Sequence, residues 1–97
     1  MQHQELENGR WFMLSLAEQL GNVGSEYSRI TRNEKSGNEQ RALSARKRYF
    51  ELLDLTINDP RWSVHRKREL LRLREITGEQ VPEDLQKYFD QFVGLVR

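Results

Sequence analysis

Hydrophobic residues along this chain of 97 residues recur at intervals of three and four, the repeat of an α-helix that buries one face. No segment alternates hydrophobic and polar residues with the period of two that is typical of a β-strand. The two prolines, Pro60 and Pro82, both lie where a new helical repeat begins. The pattern predicts an all-α protein: an antiparallel, up-down four-helix bundle with a long first helix, forming a single domain over residues 1–97.

Capping signals set the bounds of the predicted helices, which span residues 9–33, 37–57, 60–77 and 82–97. The residues predicted to cap the first three helices at their N-termini are Asn8, Ser36 and Asp59. Glu39 follows Ser36 at the spacing of a capping box, and Gly78 is predicted to end the third helix. Residues 1–7 are expected to be frayed.

The first helix presents distinct faces when successive residues are placed about 100° apart. The bulky apolar face, predicted to contact the core, is formed by Phe12, Leu16, Leu20, Val23, Tyr27 and Ile30. The face of small residues beside it is formed by Ala17, Gly21, Gly24 and Ser28. Each mid-helix glycine costs about 1 kcal/mol relative to alanine, so the two glycines indicate that another backbone approaches closely.

The sequence allows three alternatives for what packs against the small-residue face. These are helix 2 or helix 4 of the same chain, the same face of a second chain, and a small ligand. The fourth predicted helix favours a second chain, because its apolar surface is large for the terminal helix of a small domain. We therefore predict a homodimer with an interface formed by Ala17, Gly21, Gly24, Ser28, Phe89 and Phe92.

Charge indicates binding only where it is concentrated locally, because sixteen basic and fifteen acidic residues leave a net charge of +1 for the chain as a whole. Four basic residues lie on one face of the third predicted helix: Arg61, His65, Arg68 and Arg72. Arginine suits phosphate oxygens and Trp62 could stack a base, so this face is a candidate nucleic-acid site. The alternatives are a solvated face paired with nearby acidic residues, and a core position for Trp62.

Candidate catalytic chemistry is sparse. The chain has no cysteine, and its histidines, His3 and His65, belong to no recognisable nucleophile or metal motif. We therefore expect no catalytic residue, no metal and no cofactor. The polar start MQHQELENGR lacks the features of a signal peptide, and the longest apolar run, WFMLSLA, is too short to span a bilayer. We expect a soluble, cytoplasmic protein with no membrane partner.

Part of the chain resembles a family of short, uncharacterised prokaryotic all-helical proteins. The stretches that carry this resemblance cover about half of the chain and are RWFMLSLAEQLGNVGSEYSR (10–29), ELLDLTINDPRW (51–62), ELLRLRE (69–75) and LQKYFDQF (85–92). The resemblance implies a small helical domain and indicates no activity.

The chain is also loosely similar to the HEPN and nucleotidyltransferase-partner helical bundles, and this likeness implies a dimer. The ribonucleases of that group use an arginine and a histidine separated by four to six residues on a late helix. The nearest match here is Arg61-Trp-Ser-Val-His65, which has only three intervening residues.

These patterns predict a non-enzymatic helical interaction module that binds a second copy of itself and another protein. One alternative is a nucleic-acid-associated protein that uses the basic face of residues 61–74. The other is a HEPN-like component of RNA processing or of a toxin–antitoxin pair.

Overall fold

The computed structural model describes residues 9–79 and 85–93, except for the side chains of residues 92 and 93. The described residues form a short 3₁₀-helix, Trp11–Met13, and four α-helices, and they include no β-strand. The α-helices are α1 (Leu16–Lys35), α2 (Glu39–Ile57), α3 (Val64–Glu79) and α4 (Gln86–Val93). Because α1 packs against both α2 and α4, and α3 packs against α2, the predicted all-α bundle is confirmed.

The first long helix begins at Leu16 rather than at Gly9. Leu14 has a ψ of 151°, an extended backbone that separates the 3₁₀-helix from α1. Ser15 Oγ accepts a hydrogen bond from the Glu18 N–H at 3.1 Å, and the Glu18 carboxylate accepts one from the Ser15 N–H at 2.9 Å. This capping box satisfies two backbone donors and starts the helix here. The predictions that lie outside the described residues are Asn8, the frayed residues 1–7 and the ends of helix 4 at residues 82 and 97.

The turn between α1 and α2 uses different capping residues from those predicted. Gly37 has a φ of +76°, and the N–H groups of Gly37 and Asn38 bond back to carbonyls in the last turn of α1 at 3.2 and 2.8 Å. These bonds form a Schellman motif. The Asn38 side chain then caps α2 by accepting a first-turn N–H at 3.1 Å. The predicted capping box of Ser36 and Glu39 is wrong because Ser36 caps the C-terminus of α1.

The third helix begins at Val64 rather than at Pro60. Ser63 caps it, because its hydroxyl accepts a hydrogen bond from a first-turn N–H at 3.1 Å. Pro60 lies in the turn that precedes the helix, and the predicted N-cap, Asp59, is buried and bonded to other groups. Gly78 lies within α3, whose described range runs to Glu79, so the prediction that this glycine ends the helix is wrong.

The centre of the hydrophobic core is supplied by α1, whose buried apolar residues are Leu20, Val23, Tyr27 and Ile30. The buried apolar residues of α2 are Ala42, Ala45, Tyr49, Leu52 and Leu53. The other two helices add Leu70, Leu73 and Phe89. Phe12 and Leu16, the remaining members of the predicted apolar face, are partly buried against this cluster. The bulky face predicted from periodicity therefore forms the core of the bundle.

Candidate binding surfaces

The small-residue face of α1 contacts α4 of the same chain. Gly24 is buried, and a Cβ built on it would lie 2.6 Å from Phe89 Cβ. Phe89 is 1% exposed, and its ring centroid lies 5.2 Å from that of Tyr27. Two of the predicted interface residues, Gly24 and Phe89, therefore contact each other within one chain and retain no surface for a second copy.

The other members of this face differ in what covers them. Ser28 Oγ donates a hydrogen bond to Gln86 Oε1 at 2.8 Å, so α4 also covers this position. Ala17 is partly buried against the core. Among the described residues, no atom beyond its own helix backbone and chain neighbours lies within 4 Å of the place where a Gly21 Cβ would be. The side chain of Phe92 lies outside the described residues. The Gly24 end of the face is thus occupied by α4, and Gly21 is left open.

A buried carboxylate holds Arg61 in the turn before α3. Asp59 is fully buried, and its Oδ2 accepts hydrogen bonds from Arg61 Nη2 at 2.6 Å and from Gln19 Nε2 at 2.9 Å. Arg61 Nη2 also donates to the Leu14 carbonyl at 2.6 Å. The hydrogen bonds from Arg61 lower the pKa of Asp59 to about 2, although burial acts in the opposite direction. This network ties the start of α1 to the turn before α3.

Trp62 belongs to the same network. Its Nε1 donates a hydrogen bond to Gln19 Oε1 at 2.9 Å, and the Arg61 guanidinium lies 4.5 Å from the centroid of its ring. The residues of the predicted basic face therefore do not all lie on one surface. Arg61 lies in the turn before α3, where it forms an ion pair with Asp59, whereas His65 lies on α3. Arg61 is the arginine of the Arg–His pair that the HEPN likeness implies. Its guanidinium is thus already bound to the buried carboxylate of Asp59.

The outer face of α3 combines apolar surface with both signs of charge. Four residues of the helix fall within a sector of about 60°, opposite the residues that α3 buries. These residues are Val64, Arg68, Leu71 and Glu75, and all four are exposed. Val64 is 68% exposed and Leu71 is 49% exposed. His65 and Arg72 border this face, so three of the four predicted basic residues remain together on α3.

A second charged surface is the groove between α1 and α2, close to the turn that joins them. Its four arginines are Arg29 and Arg32 of α1, and Arg41 and Arg48 of α2. The groove has a volume of about 650 Å³, and none of the described residues that line it is acidic. Periodicity within one helix did not predict this cluster, because its members lie on two helices. The available signal was the short turn, which brings residues 29–36 alongside residues 41–48.

Two further properties bear on chemistry. Within residues 9–79 and 85–93, no three side chains of histidine, aspartate or glutamate lie close enough together to hold a metal ion. Over the same residues, no helix combines the length and the apolar character that crossing a bilayer requires.

Comparisons with known proteins supply no family for the chain. A scan against protein-family models, a search of curated proteins and a search of solved structures each found no match.

Proposed function

We propose that this protein is a non-enzymatic self-association module in which α3 pairs with α3 of a second copy. The observation that carries the proposal is the outer face of α3, where Val64 and Leu71 expose apolar surface. These positions are seven residues apart, the spacing at which side chains of two paired helices meet repeatedly. A second helix that covers both side chains removes apolar surface from water and so favours association.

The order of charges along α3 favours an antiparallel pair. Basic residues, Lys67 and Arg68 among them, lie near the N-terminus, and the first turn contains no acidic residue. Glu75 and Glu79 lie near the C-terminus, and the last turn contains no basic residue. This order is unfavourable in a lone helix, because the N-terminus is the positive end of the helix macrodipole. Antiparallel pairing places the basic half of one helix beside the acidic half of the other.

Contacts within the chain offset only part of the unfavourable interaction between these charges and the macrodipole of α3. Arg46 of α2 donates hydrogen bonds to the carbonyls of Thr77 and Gly78, each at 2.9 Å, and so compensates the C-terminus of α3. Within the described part of the chain, the side chains of Arg68 and Glu75 make neither a hydrogen bond nor an ion pair. Both are therefore available to a second copy.

One register satisfies these charges. A twofold axis between Leu71 and Arg72 of the paired helices places Arg68 opposite Glu75 of the second copy, and symmetry forms this pair twice. The same register brings the two Leu71 side chains together at the centre. Two apolar side chains per copy bury little surface, so we expect a weak dimer whose population depends on concentration.

Charge exchange tests this arrangement. Sedimentation equilibrium of the wild-type chain, of 11.6 kDa, is expected to show a monomer–dimer equilibrium. Arg68→Glu and Glu75→Arg each place like charges opposite each other, so each variant alone is expected to be monomeric. In an equimolar mixture every substituted residue faces an opposite charge, and dimers are expected to return. A mixture that associates no more than either variant alone would contradict the proposed register.

A matched pair of leucine variants tests the apolar part. Leu71→Asp is expected to abolish dimerisation, whereas Leu43→Asp, on the exposed surface of α2, is expected to leave it unchanged. Circular dichroism checks that both variants remain folded. A wild-type chain that sediments only as a monomer at high concentration would overturn the proposed function.

A further inference from the structure

We propose that the groove between α1 and α2 is a binding site for ligands that carry two or more phosphate groups. The groove is distinct from the α3 face that the basic pattern singled out, and it lies within one chain. The inference therefore does not rest on dimerisation.

The first support is the concentration of charge. Residues 29–48, which form the groove and its turn, contain seven basic and two acidic residues, a net charge of +5 in a chain whose total is +1. The outer face of α3, by contrast, carries Arg68 together with Glu75. A cleft lined by one sign of charge attracts anions more strongly than a surface of mixed sign.

The second support is the placement of the guanidinium groups on both walls. Arg29 and Arg32 extend from α1, and Arg41 and Arg48 extend from α2. Arg29 is held by an ion pair of 3.3 Å with Glu26 that uses only one of its nitrogens. A guanidinium has five N–H donors, so a bond of this kind orients the side chain and leaves donors for a ligand.

Polar groups complete the lining. Asn33 and Ser44 also line the groove and can donate hydrogen bonds to phosphate oxygens, and the small residue Ala45 lines it as well. A ligand in the groove therefore meets arginine forks and neutral donors, and none of the described lining residues carries a carboxylate that would repel it.

The size and composition of the groove define the ligand class. A volume of about 650 Å³ falls within the range of roughly 300–1,000 Å³ that is usual for sites of small organic ligands. None of the lining residues that the structure describes is aromatic, so they provide no platform on which a base could stack. Recognition is therefore expected to depend on phosphates rather than on base identity. A short nucleic-acid strand and a free polyphosphate both offer this chemistry.

Titrations of the full chain with two probes distinguish these sources. The probes are a fluorescent single-stranded oligouridylate, followed by anisotropy, and sodium tripolyphosphate, followed by calorimetry. Binding of the oligouridylate alone assigns the groove to a nucleic-acid backbone, and comparable binding of tripolyphosphate assigns it to a free polyphosphate. Either result supports the site only if the groove variant below loses that binding. Binding is expected at concentrations at which the chain sediments as a monomer, which separates this test from that of the dimer.

Two double variants locate the site. Arg32→Gln with Arg41→Gln removes one arginine from each wall and is expected to weaken binding by about tenfold or more, with a smaller dependence of affinity on salt. Arg68→Gln with Arg72→Gln removes the same charge from α3 and is expected to leave affinity within about twofold of the wild type. Failure of both probes to bind at low salt, or an equal loss in the α3 variant, would overturn the inference.

Discussion

The backbone of Gly24 in α1 lies directly against the base of the Phe89 side chain in α4. A Cβ at position 24 would lie 2.6 Å from Phe89 Cβ and 2.9 Å from Phe89 Cγ. The position of Phe89 Cβ is set by the backbone of α4, so no rotamer change of the ring clears the 2.6 Å contact. The position of α4 on the bundle therefore depends on the missing side chain of Gly24, and this contact offsets the helix-propensity cost of that glycine.

Gly24→Ala is accordingly expected to destabilise the protein by about 1–3 kcal/mol, because α4 must move away from α1. Gly21→Ala is the matched control on the same helix. Since the part of the chain that the structure describes places no atom outside the local backbone and chain neighbours within 4 Å of the new methyl group, this variant is expected to stabilise by up to about 1 kcal/mol through helix propensity. Urea denaturation of both variants measures the two free energies of unfolding. Equal effects of the same sign would contradict the packing of Phe89 on Gly24.

The periodicity of apolar residues predicted the core well, because burial of bulky side chains dominates the free energy of folding. Leu20 and Tyr27, for example, lie at helical spacing and are both fully buried. The starts of α1 and α3 could not be read from the same repeat. Apolar residues continue across Leu14 and Trp62, although the backbone leaves the helix there. Local hydrogen bonds of Ser15 and Ser63 decide these boundaries.

The binding surfaces were predictable only where they lie on one helix. His65 and Arg72 share a surface of α3 because both are set by the same helical repeat. Arg61 was predicted to share that surface but does not, because its guanidinium binds the buried carboxylate of Asp59. The arginine groove required knowledge of which helices pair and how tightly the turn between them closes, and both are set by tertiary packing.

The start of α1 gives a second prediction. Ser15→Ala removes the side-chain acceptor of the capping box and is expected to destabilise the protein by about 1 kcal/mol. Ser25→Ala is the control, because Ser25 is exposed inside α1 and donates only to the Gly21 carbonyl. Its replacement is expected to be neutral or slightly stabilising. If the helix instead ran without interruption from Gly9, thermal denaturation would show the same small effect for both variants.

The two aspartate–arginine pairs among the described residues are expected to differ in their contribution to stability. The side chain of Asp59 is fully buried, whereas that of Asp54, paired with Arg74 at 2.6 Å, is 46% exposed. Asp59→Asn leaves donors of Gln19 and Arg61 without a full set of acceptors and is expected to cost about 2 kcal/mol or more. Asp54→Asn is expected to cost less than about 1 kcal/mol, because water screens an exposed pair. Similar losses in chemical denaturation would show that burial does not strengthen the Asp59 network.

The same carboxylate predicts a specific response to acid. Hydrogen bonds from Arg61 lower the pKa of Asp59 from its usual 3.8 to about 2 in the folded chain. A lowered pKa means that the unfolded chain takes up a proton first as the pH falls. The stabilisation from Asp59 is therefore complete above about pH 4 and is lost as the pH falls towards 2. The gap in the free energy of unfolding between wild type and Asp59→Asn should accordingly narrow over this interval. The other carboxylates are the same in both proteins, so their contributions cancel in the comparison. If the difference in the free energy of unfolding stayed constant between about pH 5 and pH 2, Asp59 would not contribute to the loss of stability in acid.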